Sequence, residues 1–344
     1  MYGVQPHLPN RKKTHMLYAA NKYDMEAEQA HVAAACSGKG VAVLIPCYNE
    51  AVTIGKVVDD FREALPEADV YVYDNNSSDD TARIAFEHGA FVRTEPRQGK
   101  GYVVRQMFRD IDADYYLMVD GDDTYPASAA ADLIKPLAMN DADMTVGDRL
   151  SNGSYGEEND RAFHGFGNNL VRWLIKVIYG YAFEDVMTGY RAFSRVFVKT
   201  TPVLSSGFQI ETELSIHAVD KRWRVYDVPI EYRDRPEGSE SKLSTFGDGA
   251  KVLMAIASLF KDYKPMAFFG WLALLFVVLG LAAGIPVVLE FTTTHLVERF
   301  PTALLAVALV LCGALSLTVG LVLDTVAKNN RKQWEIDVYQ AYGA

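Results

Sequence analysis

Between residue 41 and about residue 150, short apolar runs of strand length alternate with segments of helical periodicity. The apolar runs cover residues 41–45, 70–73, 91–94, 115–119 and 144–147. In the segments between them, apolar residues recur three or four positions apart, as Ile54, Val57, Val58 and Phe61 do. That spacing predicts amphipathic helices, and the short apolar runs predict buried strands. Regular alternation of the two indicates an α/β domain, a parallel sheet with helices on both faces.

The second half of the chain has longer periodic segments. Residues 166–183 and 246–263 predict amphipathic helices, and residues 225–232 alternate as a strand. The second helix directly precedes a long apolar segment. We therefore expect it to lie in a membrane interface, with Ile256 and Phe260 turned toward the acyl chains. Ordinary core packing is the alternative for both helices.

Two apolar segments near the C-terminus, residues 266–289 and 301–323, contain no charged side chain. As helices, each would be about 35 Å long, enough to cross a hydrocarbon core of about 30 Å. A buried helical hairpin in a soluble protein is the alternative. Lysine and arginine residues flank the pair on its outer sides, whereas the connection, residues 290–300, carries Arg299 as its one such residue. The positive-inside rule therefore predicts that both outer flanks lie in the cytoplasm.

These patterns divide the chain into five parts. We expect a loosely ordered extension (1–38), a cytoplasmic α/β domain (39–245), an interfacial helix (246–264), two transmembrane helices (265–325) and a cytoplasmic tail (326–344). The protein would be integral to the cytoplasmic membrane, with both termini in the cytoplasm. The hairpin could also bring copies of the chain together as a homo-oligomer.

Charge and cysteine content exclude some classes of function. The formal net charge of -10 argues against a general nucleic-acid-binding surface. The three cysteines Cys36, Cys47 and Cys312 are far apart and lack metal-ligand spacing. We therefore expect no disulfide framework and no zinc site, as is usual in a reducing compartment.

The strongest candidate for chemistry is Asp120-Gly121-Asp122-Asp123, which follows the apolar run 115–119 directly. Carboxylates this close repel one another, and a divalent cation that prefers oxygen ligands, Mg²⁺ or Mn²⁺, offsets the repulsion. A polar turn without a metal is the alternative. Residues 46–50 and 74–79 also carry acidic side chains after predicted strands. In an open α/β sheet such loops meet beyond the carboxyl ends of the strands, where ligands bind, which favours the metal site.

Seven short motifs follow one another between residues 40 and 264. They are Pro46-Cys47-Tyr48-Asn49-Glu50, Asp74-Asn75-Asn76-Ser77, Gln98-Gly99-Lys100-Gly101, Asp120-Gly121-Asp122, Gly147-Asp148-Arg149, Asp185-Val186-Met187-Thr188-Gly189-Tyr190-Arg191 and Ser239-Glu240-Ser241-Lys242-Leu243. In this order they resemble the family 2 glycosyltransferases, and among them the polyprenyl-phosphate group that includes dolichol-phosphate mannose synthase. The resemblance implies a GT-A (nucleotide-diphospho-sugar transferase) fold with a C-terminal transmembrane hairpin of two helices.

The resemblance implies an enzyme, a glycosyltransferase of the hexosyltransferase type that depends on Mg²⁺ or Mn²⁺. A UDP- or GDP-linked sugar would give its glycosyl group to a membrane polyprenyl phosphate, with inversion at the anomeric carbon. The product, a polyprenyl-phosphate monosaccharide, would serve cell-envelope glycan synthesis or protein glycosylation. A divalent ion across the donor phosphates stabilises the charge of the leaving nucleoside diphosphate as it develops.

The resemblance also assigns the donor site residue by residue. Asp120 and Asp122 match the pair that holds the metal, and we expect Asp122 to be catalytic. The nucleotide-sugar site would consist of Pro46, Tyr48, Glu50, Asp74, Lys100 and Asp120. Because Lys100 lies between two glycines, it could approach the nucleotide closely.

The acceptor site implied by the resemblance is cationic. A phosphomonoester is mostly a dianion at pH 7, so it needs positioning and charge neutralisation more than deprotonation. Arg149, Arg191 and Lys242 match phosphate-binding cations of the family, and arginine offers a bidentate fork. We expect Arg149 and Asp185 to be catalytic as well. Asp185 matches a carboxylate that is proposed as a general base in the family. Alternatively, Asp185 orients Arg191 or the sugar.

Other functions are compatible with parts of this sequence. A processive synthase is excluded, because Val219 stands where the motif Gln-x-x-Arg-Trp requires glutamine and because two spans are too few for a channel. The same fold could use another acceptor, such as diacylglycerol or a polyprenyl-diphosphate sugar. A non-catalytic membrane scaffold is the third alternative, and the intact Asp120 and Asp122 argue against it. The sequence determines neither the sugar nor the choice between UDP and GDP.

Overall fold

The computed structural model of the protein describes residues 40–151, 162–207, 209–236, 254 and 256–343. The predicted N-terminal extension and Lys242, with the loop around it, lie outside the described residues. The strands are β1 (Val41–Cys47), β2 (Asp69–Asp74), β3 (Phe91–Thr94), β4 (Tyr115–Met118), β5 (Met144–Asp148), β6 (Arg191–Ser194) and β7 (Val225–Pro229). The helices are α1 (Ile54–Ala64), α2 (Thr81–Glu87), α3 (Lys100–Asp110), α4 (Ala130–Ala138), α5 (Ala162–Tyr179), α6 (Arg195–Thr200), α7 (Ile210–Asp220), α8 (Pro265–Thr294) and α9 (Phe300–Gly343).

The described strands form one mixed sheet in the order β3-β2-β1-β4-β6-β5-β7. β1 pairs in parallel with β2 and β4, and β5 pairs in parallel with β7. β6 lies between β4 and β5 and runs antiparallel to both. The prediction of a parallel sheet is therefore correct for β1 to β4 and wrong at β6. The hydrophobic pattern did not indicate β6, because it is short and begins with an arginine.

Side chains alternate along β1 and so supply two apolar cores, one on each face of the sheet. Val43 and Ile45 belong to the core that contains α1 and α4. Ala42 and Leu44 belong to the core that contains α3, α6 and α7. Helices thus cover both faces, as predicted, and the loops at the carboxyl ends of the strands are left as the accessible edge.

Helices α8 and α9 are long and apolar enough to cross a membrane. They pack closely because glycine occupies the contact positions. A Cβ at Gly280 would lie 3.1 Å from the carbonyl oxygen of Ala306, and a Cβ at Gly313 would lie 3.1 Å from that of Ala273. The helices therefore form the predicted hairpin, with α8 continuing to Thr294, beyond the predicted end of the first span.

Helix α9 is about 66 Å long, about twice the thickness of a bilayer core. Its last turns contain the residues predicted as a cytoplasmic tail, and they pack against α6 of the α/β domain. Arg331 pairs with Asp220 at the end of α7. The ring of Trp334 meets that of Trp223 edge-on, with centroids 5.3 Å apart, and its Nε1 donates to the carbonyl of Thr200 (3.2 Å). The end of α9 thus anchors the hairpin to the α/β domain.

The described part of the predicted interfacial helix, residues 256–263, is helical. Ile256 is 3% exposed and lies in the same core as α7, with Leu259 packed beside it. Phe260 meets Phe268 of α8 edge-on at 5.7 Å between centroids. Ile256 therefore faces the protein interior and not lipid, because tertiary packing provides the apolar surroundings that the prediction assigned to the bilayer.

Candidate active site

The loops after β1, β2 and β4 meet at one edge of the sheet, as predicted. The carboxyl ends of β1 and β2 are in register. The backbone N–H of Asn49 donates to Ser77 Oγ (2.8 Å), which joins the first loop to the second. Thr53 Oγ1 donates to the carbonyl of Gly121 (2.6 Å), which joins the first loop to the acidic loop after β4. Three segments far apart in sequence thus form one site.

Of the predicted nucleotide residues, Pro46 lies near the end of β1, and Tyr48 and Glu50 lie on the loop that follows, where Tyr48 is 39% exposed and Glu50 is buried. Asp74, the last residue of β2, is also buried. The N–H of Ser77 donates to Asp74 Oδ2 (3.2 Å), whereas Oδ1 has no hydrogen-bond partner among the described residues. A buried acceptor without a donor is rare and costly. Asp74 Oδ1 therefore marks a position where a ligand N–H or O–H would be stabilised.

Each of the three clustered carboxylates has its own cation. The pairs are Lys100 with Asp120, Arg235 with Asp122 at 2.5 Å, and Lys56 with Asp123 at 2.8 Å. The repulsion that the sequence predicts is thus offset by side chains of the protein. Lys56 and Arg235 were not among the predicted site residues. β7 pairs in parallel with β5, so Arg235, which follows β7, lies at the same edge. The alternating pattern of residues 225–232, which predicts this strand, is the sequence signal that could have indicated Arg235.

Lys100 lies between two carboxylates, since its Nζ also pairs with Glu211 of α7 at 2.6 Å. Burial alone would lower the pKa of the Lys100 ammonium, but attraction by Asp120 and Glu211 raises it, so the side chain stays charged. A Cβ at either neighbouring glycine would collide with the backbone carbonyls of residues 205–206. The glycines thus permit close approach to this backbone segment, and the approach of Lys100 to a nucleotide stays a prediction.

Asp120 and Asp122 are the described residues whose chemistry fits a divalent metal. Mg²⁺ is usually held by one or two carboxylates, with water and substrate phosphates as its other ligands. Within the described residues, no group of three or more acidic, histidine or cysteine side chains is arranged to hold a metal. Burial and then the nearby charge of Asp120 raise the pKa of Asp122, and a bound cation would act in the opposite direction. A site of two carboxylates completed by phosphates therefore fits.

Arg149 and Asp185 form a buried bidentate pair. Arg149 Nε donates to Asp185 Oδ2 (2.6 Å) and Nη2 donates to Oδ1 (3.2 Å). The guanidinium also lies over the ring of Tyr232, 5.3 Å from its centroid, and beside the hydroxyl of Tyr125. Of the alternatives for Asp185, this geometry favours orientation of a cation, and the cation is Arg149 and not Arg191.

Arg191 lies inside the protein, with no exposed surface. Its guanidinium donates to the carbonyls of Thr188 (3.0 Å) and Val186 (2.5 Å) and to Ser215 Oγ (2.9 Å). Burial lowers the pKa of the guanidinium. As the first residue of the central strand β6, Arg191 ties the loop after Asp185 to α7, and the structure does not bring it to the accessible edge.

Solved structures with the same fold include those of glucosyl-3-phosphoglycerate synthase from Mycobacterium tuberculosis. The complex with Mn²⁺, uridine diphosphate and phosphoglyceric acid aligns with a TM-score of 0.57 at 20% identity, over 67% of this chain and 82% of that one. The predicted GT-A fold is thereby confirmed. The mixed sheet with its acidic edge therefore belongs to the GT-A fold class.

Sequence comparison identifies the family. The pattern of the family described as Glycosyl transferase family 2 matches residues 42–199. Glycosyltransferase AglJ of Haloferax volcanii is 32% identical over 294 residues, 85% of this chain and 95% of the relative. The dolichyl-phosphate hexose transferase of the same organism is 29% identical over 213 residues, 62% of this chain and 90% of the relative. The chain belongs to glycosyl transferase family 2, so the resemblance seen in its motifs and the predicted enzyme class are confirmed.

Proposed function

We propose that the protein transfers a hexosyl group from a nucleotide sugar to a polyprenyl phosphate in the membrane. The observation that carries the proposal is the union of two features in one chain. One is an acidic edge on a GT-A sheet, and the other is a hairpin that is long and apolar enough to cross a membrane and is anchored to that domain. A soluble acceptor would not require the second feature. A relative named as a dolichyl-phosphate hexose transferase supports the same acceptor class.

The donor would bind at the loops after β1, β2 and β4. Asp74 Oδ1 would accept a hydrogen bond from the nucleoside, which satisfies the buried oxygen. Asp120 and Asp122 would hold Mg²⁺ or Mn²⁺, which supplies charge neutralisation for the leaving nucleoside diphosphate. A solved structure of the same fold contains Mn²⁺ and uridine diphosphate, which supports a UDP-linked donor; a GDP-linked donor is the alternative.

The acceptor phosphate would be met by Arg149. Because Asp185 holds this guanidinium through two hydrogen bonds, its position is set before the substrate arrives. An oxygen of the dianionic phosphate attacks the anomeric carbon from the side opposite the diphosphate. The new carbon–oxygen bond forms as the bond to the leaving oxygen breaks, so the configuration inverts. An ionised acceptor needs no proton removal, so Asp185 serves as the positioning partner of Arg149.

A transfer assay tests the proposal. The purified full chain is incubated in nanodiscs with undecaprenyl phosphate and a panel of radiolabelled UDP- and GDP-hexoses. We expect one sugar to enter a lipid product, in a reaction that stops with EDTA and resumes with Mn²⁺ or Mg²⁺. In parallel nanodiscs that contain diacylglycerol or a polyprenyl-diphosphate sugar instead, labelling of either lipid, with none of the polyprenyl phosphate, would show that the acceptor is wrong. If no donor is consumed, the scaffold alternative is favoured.

A further inference from the structure

Asp122 has both carboxylate oxygens engaged inside the protein. Oδ1 accepts hydrogen bonds from the N–H (3.3 Å) and the hydroxyl (2.6 Å) of Thr124. Oδ2 pairs with Arg235 Nη2 at 2.5 Å. A metal held by Asp122 needs one of these oxygens. The bonds to Thr124 lie within the turn itself, whereas Arg235 comes from the segment after β7, so Oδ2 is the oxygen that can change its partner.

A guanidinium and a divalent cation at the same carboxylate oxygen repel each other, so the binding of one weakens the binding of the other. The two cations of the site differ in their freedom to leave. Lys100 has a side chain 10% exposed and is held by two carboxylates, Asp120 and Glu211. Arg235 has a side chain that is 28% exposed. Arg235 is therefore the cation that a metal would displace.

We propose that Arg235 is the counter-ion of Asp122 in the metal-free enzyme and transfers to the donor diphosphate when the metal–nucleotide complex binds. The inference rests on the proposed function, since it takes Asp122 as a metal ligand and a nucleotide sugar as donor. The planar fork of arginine suits two phosphate oxygens as well as it suits a carboxylate. No charge is left unpaired at either stage, because the metal replaces Arg235 on Asp122 and the diphosphate receives Arg235.

The exchange has a thermodynamic consequence. In the free enzyme, metal binds only to the fraction of molecules in which Arg235 has left Asp122, which weakens the apparent affinity by that fraction. If Arg235 occupies Asp122 in about nine of ten molecules, its removal should tighten metal binding about tenfold. The nucleotide loses a phosphate contact at the same time. Arg235→Ala should therefore shift the two affinities in opposite directions, which a purely structural role of Arg235 would not do.

The test measures Mn²⁺ binding by electron paramagnetic resonance of the free ion, with and without uridine diphosphate. We expect Arg235→Ala to bind Mn²⁺ alone about tenfold more tightly than the wild type and to bind uridine diphosphate more weakly in the presence of Mn²⁺. Arg233→Ala is the matched control, because it removes the same charge from an exposed side chain two residues away. The affinities of this variant for Mn²⁺ alone and for uridine diphosphate with Mn²⁺ should stay close to those of the wild type.

The outcomes separate the inference from the proposed function. If the wild type binds Mn²⁺ with uridine diphosphate but Arg235→Ala binds Mn²⁺ alone no more tightly than Arg233→Ala, the exchange is wrong and the metal site stands. If the wild type binds no Mn²⁺ with or without uridine diphosphate, the metal site itself is wrong and the exchange falls with it. Should Arg235→Ala fail to fold, Arg235→Gln keeps the stem of the side chain and is measured in its place, with the same expectations.

Discussion

At the residue scale, the acidic edge is organised by pairing. A carboxylate removed from water is costly unless an opposite charge or a hydrogen-bond donor meets it. Lys100, Arg235 and Lys56 meet the three clustered aspartates, each from a different element of the fold. Asp74 Oδ1 is the exception, since it has no such partner among the described residues. The paired and the unpaired oxygens lead to different expectations for substitutions.

Asp122→Asn should abolish transfer without unfolding the protein. The amide keeps the shape of the side chain but loses the charge that a divalent ion requires, so we expect the rate to fall at least about a hundredfold. Asp123→Asn is the matched control. It removes the same charge from a residue with φ +58°, a conformation that asparagine tolerates, and we expect it to keep most of the activity. Initial rates of lipid labelling measure both, with circular dichroism to verify folding; a wild-type rate in Asp122→Asn would contradict the metal assignment.

Asp74→Asn should weaken binding of the donor nucleotide. Loss of a charge-assisted hydrogen bond costs about 1.5–3 kcal/mol, roughly tenfold to a hundredfold in affinity. Calorimetric titration with uridine diphosphate and Mn²⁺ would measure this effect. Asp69→Asn, at the exposed start of the same strand, serves as the control and should bind as the wild type does. Equal affinities for the two variants would remove Asp74 from the nucleotide site.

At the element scale, the hydrophobic pattern was sufficient where a strand or helix is buried in a regular way. β1 and β4 are buried on both faces and appear as continuous apolar runs. β6 is equally buried, but it has only four residues and begins with the charged Arg191, so no apolar run of strand length reveals it. The end of α9 is charged and polar in sequence, and its packing depends on Trp223 and Asp220, far away in the chain.

The same reasoning explains what could be predicted of the site. Strand ends share an edge, so the convergence of the loops at residues 46–50, 74–79 and 120–123 followed from the order of the elements. The partner of each side chain did not follow, because it depends on elements far apart in sequence. Arg191 matched a motif and is nonetheless buried, whereas Arg235 matched no expectation and pairs with Asp122.

The packing of α7 against α9 predicts a pH dependence of stability. His217 is 1% exposed and lies near Trp334, with its Nδ1 3.3 Å from the hydroxyl of Tyr263. Its Nε2 has no hydrogen-bond partner within the part of the chain that the structure describes. Burial and then the charge of Lys221 lower the pKa of His217 to about 3. The folded protein therefore keeps this histidine neutral throughout the physiological range.

His217 should destabilise the fold as the pH falls below about 6.5, the ordinary pKa of histidine in an unfolded chain. Below this pH the unfolded chain gains a proton on His217 and the folded protein does not. The free energy of unfolding therefore decreases by about 2 kcal/mol at pH 5. Melting temperatures in detergent at pH 7 and pH 5 would measure it. We expect the decrease in melting temperature from pH 7 to pH 5 to be about 4–8 °C smaller in His217→Gln than in the wild type. The same decrease in both proteins would show that His217 is not buried in neutral form.

At the scale of the whole molecule, the α/β domain and the hairpin meet at one end of the hairpin. The first residues of α8 follow directly on the helix of residues 256–263, and the last turns of α9 return to α6 and α7. The connection between α8 and α9 lies at the opposite end. If the two helices cross a bilayer, the α/β domain with its acidic edge and both ends of the hairpin share one side of the membrane, and the connection is on the other.

The charge distribution predicts that the α/β domain lies on the cytoplasmic side of the membrane. Lys261, Lys264, Lys328 and Arg331 flank the hairpin at the end that meets the domain, whereas the far connection carries Arg299, paired with Glu290 at 3.3 Å. In a background without native cysteines, a cysteine at Thr293 should react with a membrane-impermeant maleimide in intact cells. A cysteine at Asn330, also exposed, should react only after the cells are lysed. The reverse pattern would place the catalytic domain outside, and extraction of the protein by alkaline carbonate would show that the hairpin does not span the membrane.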